Sequence, residues 1–318
     1  MPFNVTDLIV TTVFLSGPIA LACMCVMWSE LCGVFVFGTE GVMLISALSG
    51  FLGTFATHNI IVGVLVGLGA GLLVGMLTAF YEVTLNADQI IFAIALLVIA
   101  PSLTSFLYGS FISGGRVNPL SMEVSTFPAI PVPYLSQIPL IGPFFNQSAL
   151  VYITYGLLIF SHFFLYRTKW GLKIRAVGMN PRAADSMGAN VYLVRYACIL
   201  VGAGMAALGG ITMILAGTGF WVDNVTAGRG LIGVALVRVG NWRIAATYAA
   251  ALLVSVLLAA ASDLQQTFAS TAGQSGTSFP YEIFSALPYI FAVAVIAVSY
   301  KWTRSNQPAS LGLPYRRE

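Results

Sequence analysis

The sequence contains very little charge. Asp, Glu, Lys and Arg together make up 8% of its 318 residues, whereas a soluble globular domain carries about 25%. Hydrophobic residues account for 58%, and the mean hydropathy is +0.91. These values exclude an ordinary soluble domain and indicate that a lipid bilayer is the solvent. The net charge of +3 is too small and too scattered to suggest a nucleic-acid partner.

Residues that bind metals or form disulfides are also scarce. The four cysteines lie in or beside apolar runs and lack the paired spacing of a zinc site or a disulfide framework; they are Cys23, Cys25, Cys32 and Cys198. His58 and His162 each lack a second ligand three or four residues away. We therefore predict no metal centre, and we interpret the cysteines as packing residues.

Signatures of catalysis and of nucleotide binding are missing as well. No Gly-Lys pair occurs, so the chain has no phosphate-binding loop of the G-x-x-x-x-G-K-[ST] kind and is not expected to bind ATP. The apolar runs contain no cluster of His, Asp or Ser nucleophile motifs. We predict that the chain is not an enzyme.

Long apolar runs dominate the sequence instead. The first, Leu8–Trp28, can cross a bilayer of about 30 Å, and because residues 1–7 carry no Lys or Arg we expect it to be retained rather than cleaved as a signal peptide. Further runs lie at 33–56, 59–80, 89–111, 148–166, 191–216, 229–240, 244–261 and 284–300. They predict an all-α, polytopic transmembrane helical bundle that forms a single domain over residues 1–318.

The number of spans depends on the second run. The sequence GTEG at 38–41 interrupts it, so residues 33–56 form either one kinked helix or two short ones. These alternatives give nine or ten spans in total. We prefer ten, with both termini inside.

Basic residues predict the orientation of the bundle. They concentrate at 167–195 and in the tail 301–318, which the positive-inside rule places in the cytosol: Arg167, Lys169, Lys173, Arg175, Arg182, Arg195, Lys301, Arg304, Arg316 and Arg317. The loop 112–147 contains Arg116 as its only base and is rich in proline and aromatic residues, which predicts an external loop. The spans between the two cytosolic segments are even in number if the run 229–240 extends back towards Asn224 and crosses.

One run carries a regular pattern of glycines. In GVLVGLGAGLLVG, glycine recurs every fourth residue, at Gly63, Gly67, Gly71 and Gly75. This spacing aligns the glycines on one helix face, where a neighbouring helix can approach closely.

The polar loop within 167–190 contains the signals of a short helix. In RAVGMNPRAADSMGAN (175–190), Asn180 can cap, Pro181 suits the first turn and Gly188 can end the helix. We predict two helical turns at the cytosolic membrane face, with an apolar side formed by Ala183, Ala184 and Met187. A loop needed only for topology requires no such helix, whereas a docking surface for a cytosolic partner does.

The sequence GLKIRAVGMNPRAADSMG (171–188) resembles the coupling stretch of the membrane permeases of ABC importers. The similar branch is that of nucleosides and simple sugars, related to the branched-chain amino-acid permeases. Four other segments resemble the same family: GVFVFGTEGVMLISA (33–47), LNADQIIFAIAL (85–96), TAGRGLIGVALVRVGNW (226–242) and LGLPYRRE (311–318). The resemblance covers nearly the whole chain and is most specific at residues 171–188.

This resemblance implies a fold like that of type II ABC importers, in the plasma (inner) membrane of a bacterium. It further implies cytosolic ATPase subunits that bind the ATP, a second permease subunit of the same or a different chain, and an extracytoplasmic substrate-binding protein. The coupling helix and its frame would comprise Arg175, Gly178, Asn180, Pro181, Arg182, Ala183, Ala184, Asp185 and Gly188. The expected solute is a nucleoside; a simple sugar or a branched-chain amino acid is the alternative.

Charged residues within apolar runs are candidates for the translocation path. Glu40 lies at a glycine-flanked break, and broken helices in transporters gather around such a path. Simple placement at the membrane interface would explain it equally well. Arg238 lies near the inner face, where its side chain can reach the headgroups. An ion-coupled secondary transporter is a less favoured alternative, because Glu40 is the only serious intramembrane carboxylate in the sequence.

Overall fold

A computed structural model of the chain describes residues 5–113, 123–134, 136, 142–275, 290 and 306–316. The described part contains these α-helices: α1 Val5–Leu31, α2 Thr39–Thr57, α3 Ile60–Ala79, α4 Gln89–Ser113, α5 Ala149–Arg167, α6 Lys169–Met179, α7 Pro181–Ser186, α8 Val191–Met213, α9 Arg229–Val239 and α10 Ile244–Ser275. Two of them, α3 and α8, continue into single π-helical turns at Phe80–Thr84 and Ile214–Thr218. A short antiparallel pair joins β1 (Ala129–Pro131) to β2 (Asn146–Ser148).

Seven of the described helices are long and apolar enough to cross a membrane: α1, α2, α3, α4, α5, α8 and α10. They confirm the predicted all-α polytopic bundle. Helix α9 has 11 residues, which corresponds to about 16 Å and is too short to span the bilayer as a helix. The run 284–300 lies outside the described residues apart from Ile290.

The second apolar run forms one helix, so our preference for two short helices there is wrong. Residues 34–37 are irregular, Gly38 is the N-cap, and α2 then runs unbroken from Thr39 to Thr57. The GTEG sequence marks the beginning of a helix rather than its middle. The physical reason is that an acidic residue in the first turn, here Glu40, stabilises a helix N-terminus.

The centre of the bundle is formed by α1, α2 and α8, which pack against one another and against α3, α9 and α10. Close approach is possible because glycines of α8 meet main-chain atoms of its neighbours: Gly202 faces the Cys25 carbonyl and Gly210 the Met43 carbonyl. Helices α3, α4 and α5 lie outside and expose apolar side chains such as Ile91 and Phe106, 68% and 69% accessible. A bundle buried at its centre and apolar on its outside suits a lipid solvent.

The two predicted loops lie at opposite ends of the bundle. At one end, the start of α8 adjoins α6 and α7, and Gly178 O accepts a hydrogen bond from Ser310 N at 3.0 Å. We call this the basic end. At the other end, Val124 N donates to Gly219 O at 2.8 Å and Phe127 N to Leu215 O at 2.7 Å. The described residues of 112–147 are therefore separated from the basic loop by about the length of α8.

The chain returns from the opposite end to the basic end through residues 219–242. Near its start, Asp223 Oδ1 accepts hydrogen bonds from Ser105 Oγ at 3.1 Å and from Trp221 Nε1 at 3.2 Å. Near its end, Trp242 Nε1 donates to Glu30 Oε2 at 2.8 Å. The chain thus crosses the bundle around 229–240, as expected, but not as one continuous helix. Residues 219–228 are irregular, and α9 follows them.

Candidate coupling surface and helix junction

The short helix predicted in the polar loop is present as α7. Asn180 Oδ1 accepts a hydrogen bond from Ala183 N at 3.1 Å, which caps the helix, and Pro181 occupies its first position. After Ser186 the chain turns at Gly188, whose φ of +82° is readily adopted only by glycine. Local sequence signals therefore determine where this helix begins and ends.

The side chains of α7 divide between protein and surface differently from the prediction. Ala184 is buried, whereas Ala183 is exposed and Met187 is 87% accessible. Since 3.6 residues make one turn, positions 183 and 187 share a face and position 184 lies about 100° away. Ala183 and Met187 therefore form the exposed apolar side. Ala184 was predicted to share that side, and this is wrong because Ala184 packs inward. Arg182 is exposed and Asp185 is half-buried.

Helix α6, which precedes α7, was not anticipated from the sequence. Thr168 Oγ1 accepts a hydrogen bond from Gly171 N at 3.1 Å and caps it. Its buried residues are Gly171, Ile174, Val177 and Gly178, a spacing of three and four that could have identified it. A Cβ at Gly178 would overlap the carbonyl oxygen of Leu31, so this glycine lets α6 touch the end of α1.

The tail segment, residues 306–316, lies across the basic end and binds several elements. Ser310 Oγ donates to Gly178 O at 2.6 Å, and Gly312 N donates to Gly33 O at 3.2 Å. Both terminal nitrogens of Arg195, which is 1% exposed, lie 3.4 Å from Leu313 O and donate to it. The tail therefore connects α6, α8 and the residues that lead into α2. Lys301, Arg304 and Arg317 lie outside the described residues.

A groove of about 770 Å³ separates α7 from the tail segment. Met179, Asn180, Pro181 and Arg182 line one side of it, and residues 309–310 and 313–316 line the other. Helix α7 and the tail therefore present one continuous surface at the basic end, which we call the coupling surface. The sequence indicated the α7 half. The tail was predicted to be cytosolic, and its residues 311–318 resemble the permease family, but its position beside α7 was not predicted.

Glu40 lies where two helices begin. Its Oε1 accepts hydrogen bonds from Thr226 Oγ1 and from Gly228 N, the latter at 2.8 Å, and its Oε2 accepts one from Gly230 N at 2.7 Å. These donors lead into α9, while Glu40 itself lies in the first turn of α2. The partial positive charge of both helix N-termini favours a carboxylate here. We call this group the helix junction.

The main chain around the junction is shaped to reach the carboxylate. Ala227 and Gly228 have φ of +44° and +75°, and the alanine conformation is strained. A Cβ at Gly230 would lie 2.6 Å from Glu40 N, so only glycine allows this approach. Glu40 is 3% exposed, and its carboxylate joins the beginnings of two helices.

The two arginines of α9 also have partners within the chain. Arg238 forms an ion pair with Glu30 at 3.2 Å, and its guanidinium lies 5.0 Å from the ring centre of Phe35. Arg229 Nη1 donates to Val225 O at 3.0 Å. Arg238 lies near the basic end, as expected, and additionally joins α9 to α1.

The four glycines of α3 face α2 and α8. A Cβ at Gly63 would overlap Thr54, and one at Gly67 would lie 2.8 Å from Ile211 Cδ1. At Gly71 it would overlap Ala207 and Ser46, and at Gly75 it would overlap Ala203. A Cβ at Gly69, on another side of the helix, would have no neighbouring atom within 4 Å. The structure therefore places the stripe in a close three-helix contact.

Comparison with known proteins assigns the family. A family model described as the permease component of a branched-chain amino acid transport system matches residues 8–299. TsgC13 of Haloferax volcanii, provisionally named a glucose ABC transporter permease protein, is 34% identical over 91% of this chain and 91% of its own. The nucleoside ABC transporter permease protein NupC of Lactococcus lactis is 30% identical over 93% of each chain.

A third relative is the guanosine ABC transporter permease protein NupQ of Bacillus subtilis, 26% identical over 96% of this chain and 94% of its own. No solved structure matches the chain. The length of the family match and the seven apolar helices together identify a multi-pass inner-membrane protein. The chain belongs to the branched-chain amino acid transport system permease family and is an ABC transporter permease.

Proposed function

We propose that the chain is the membrane-spanning subunit of an ATP-driven importer for a small, uncharged polar solute, with a nucleoside as the first candidate. Two relatives, at 30% and 26% identity, are named for nucleosides. A simple sugar is the second candidate, because the relative at 34% identity is named for glucose.

Two buried carboxylates already have partners within the chain. The carboxylate of Glu40 is occupied by three donors, and that of Glu30 by Arg238 and Trp242. Neither is available to bind a charged group on a solute. A branched-chain amino acid is the least favoured of the three solute classes, because the three relatives described above are named for glucose, nucleosides and guanosine.

Uptake into proteoliposomes tests the solute. The chain is reconstituted with its ATPase subunits, a second permease subunit and its binding protein, and labelled guanosine, glucose and leucine are compared. We expect uptake of guanosine that requires ATP and is stopped by vanadate. Uptake of glucose alone would transfer the assignment to sugars, and uptake driven by an ion gradient without ATP would contradict the importer proposal.

The coupling surface is the proposed docking site for the ATPase. Helix α7 exposes Ala183 and Met187, its ends are fixed by Asn180 and Gly188, and its inward residue Ala184 anchors it. A short rigid helix with one exposed apolar face is the form in which a cytosolic partner can transmit force. The observation that carries this proposal is that α7 is both exposed and connected to the bundle.

Two connections lead from α7 into the membrane. One runs directly into α8, whose first turn is capped by Asn190 Oδ1 accepting from Leu193 N at 3.1 Å. The other runs through Gly178 and Ser310 to Gly33, and on through the irregular residues 34–38 to the helix junction. We infer that movement of α7 tilts α8 and shifts the beginnings of α2 and α9 together. This movement opens the translocation path alternately to the two sides of the membrane.

Substitutions on the exposed face test the docking site. Ala183→Glu and Met187→Glu place a charge on the surface without disturbing the core, so we expect capture of the ATPase to be lost while the melting temperature stays unchanged. Tyr134→Glu is the matched control, since Tyr134 is also 87% exposed and lies at the opposite end. Normal capture by both α7 variants would refute the proposed docking face.

A further inference from the structure

A second cavity at the basic end adjoins the coupling groove, because Met179 lines both. It has a volume of about 320 Å³ and is enclosed by the ends of α1, α5 and α6, the turn between α9 and α10, and the tail segment. The side chains that decide its chemistry are Tyr166, Arg175, Trp242 and Arg243. The proposed docking of the ATPase does not use this cavity.

The cavity is positively charged and lacks an internal counter-ion. Arg175 and Arg243 both line it, and no carboxylate of the described residues does. Neither arginine forms an ion pair with a described acidic residue, and the buried Nε of Arg175 has no hydrogen-bond partner among the described residues. The buried carboxylate of Glu30, in the last turn of α1, is occupied by Arg238 and Trp242.

The walls of the cavity are fixed in place. Tyr166 Oη donates to Trp242 O at 2.8 Å, which ties the end of α5 to the turn before α10. The Arg175 guanidinium lies 5.4 Å from the ring centre of Tyr166, and Trp242 is 6% exposed. Leu31 adds an apolar surface beside the two arginines. Arg175 and Arg243 therefore line one cavity together with an apolar floor of Leu31 and Trp242.

The position of the cavity indicates the membrane interface. Tyr166 is the penultimate residue of the span Ala149–Arg167, and Arg243 directly precedes the span Ile244–Leu264. Tyrosine and tryptophan at span ends lie at headgroup level. Basic pockets between spans on the cytoplasmic side bind anionic headgroups, and guanidinium groups hold phosphate oxygens in a bidentate manner.

We propose that this cavity binds the phosphate group of an anionic phospholipid, held by Arg175 and Arg243, with the glycerol and the first acyl carbons against Leu31 and Trp242. Phosphate is the recognised group, and the neighbouring span ends supply the lipid that carries it. Free inorganic phosphate would use the arginines but not the apolar floor. An acidic side chain of the ATPase is the other occupant to be distinguished.

Native mass spectrometry of the purified full-length chain, titrated with phosphatidylglycerol and with phosphatidylcholine, tests the proposal. We expect one phosphatidylglycerol per chain, retained at higher collision energy than phosphatidylcholine. The double variant Arg175→Gln/Arg243→Gln should lose about thirtyfold in phosphatidylglycerol affinity, the effect of two cationic contacts. Lys173→Gln is the control, because Lys173 lies on the same helix but stacks on Trp170.

The alternatives give different results. Equal retention of phosphatidylglycerol by the double variant and the wild type would overturn the proposal, and so would an equal loss in Lys173→Gln. Displacement by millimolar inorganic phosphate would identify a free-phosphate site, and displacement by the ATPase would identify a subunit contact; either overturns the lipid assignment. If the glutamine variant does not fold, Arg175→Lys/Arg243→Lys, which keeps charge but not bidentate geometry, should show partial loss.

Discussion

Replacing Glu40 by glutamine tests whether the helix junction holds the bundle together. The carboxylate accepts three hydrogen bonds, two of them from main-chain N–H groups at 2.7 and 2.8 Å. Glutamine retains one acceptor oxygen and places an amide N–H₂ where the second oxygen was. One buried main-chain N–H then faces another donor, and the favourable charge at two helix N-termini is lost. We expect a loss of about 3 kcal/mol in the free energy of unfolding.

The size of this effect makes it measurable. For a chain of 318 residues, a loss of about 3 kcal/mol lowers the melting temperature by roughly 4–5 °C. The four cysteines are buried, so a thiol-reactive dye in detergent reports unfolding as they become accessible. Glu123→Gln is the matched control, because Glu123 is exposed. A melting temperature for Glu40→Gln within 1 °C of wild type would show that the junction is not a stabilising contact.

Three further changes probe separate parts of the structure. Gly71→Ala should lower the free energy of unfolding by about 1–3 kcal/mol because its methyl group overlaps α8, whereas Gly69→Ala, with open space around it, should be neutral or slightly stabilising in the same dye assay. Arg195→Gln removes the donors to Leu313 O, and we expect faster hydrogen exchange across the tail segment; unchanged exchange by mass spectrometry would contradict the anchoring role. Asn180→Ala removes the cap of α7, worth about 1 kcal/mol, and should weaken ATPase binding in a surface-capture assay severalfold, whereas Asn180→Asp should retain it.

Features that depend on neighbouring residues could be predicted from the sequence. The beginning and end of α7 follow from Asn180, Pro181 and Gly188, which act within a few residues of one another. The apolar runs identified the spanning helices in the same way. Hydropathy alone did not distinguish a helix that crosses the membrane from one that begins inside it, as α9 does. For that reason the run at 229–240 was predicted to cross only if it extended back towards Asn224, and the irregular form of residues 219–228 could not be predicted.

Contacts between distant residues could not be predicted. Glu40 was recognised as unusual, but its donor Thr226 lies 186 positions along the chain. Arg195 was interpreted as a topological charge, yet its partner Leu313 is 118 positions away and belongs to the tail. A single sequence contains no signal that brings such residues together, because the pairing is decided by how complete helices pack.

The helix junction also constrains how the protein is made. Glu40 is synthesised 190 residues before Gly230, which supplies one of its donors. During that interval the nascent chain carries a carboxylate that has none of the three donors it has in the finished bundle, and an unpaired charge is costly in hydrocarbon. The first helices therefore cannot reach their final arrangement one at a time as they leave the translocon. Biogenesis is completed only when the second half of the polypeptide arrives.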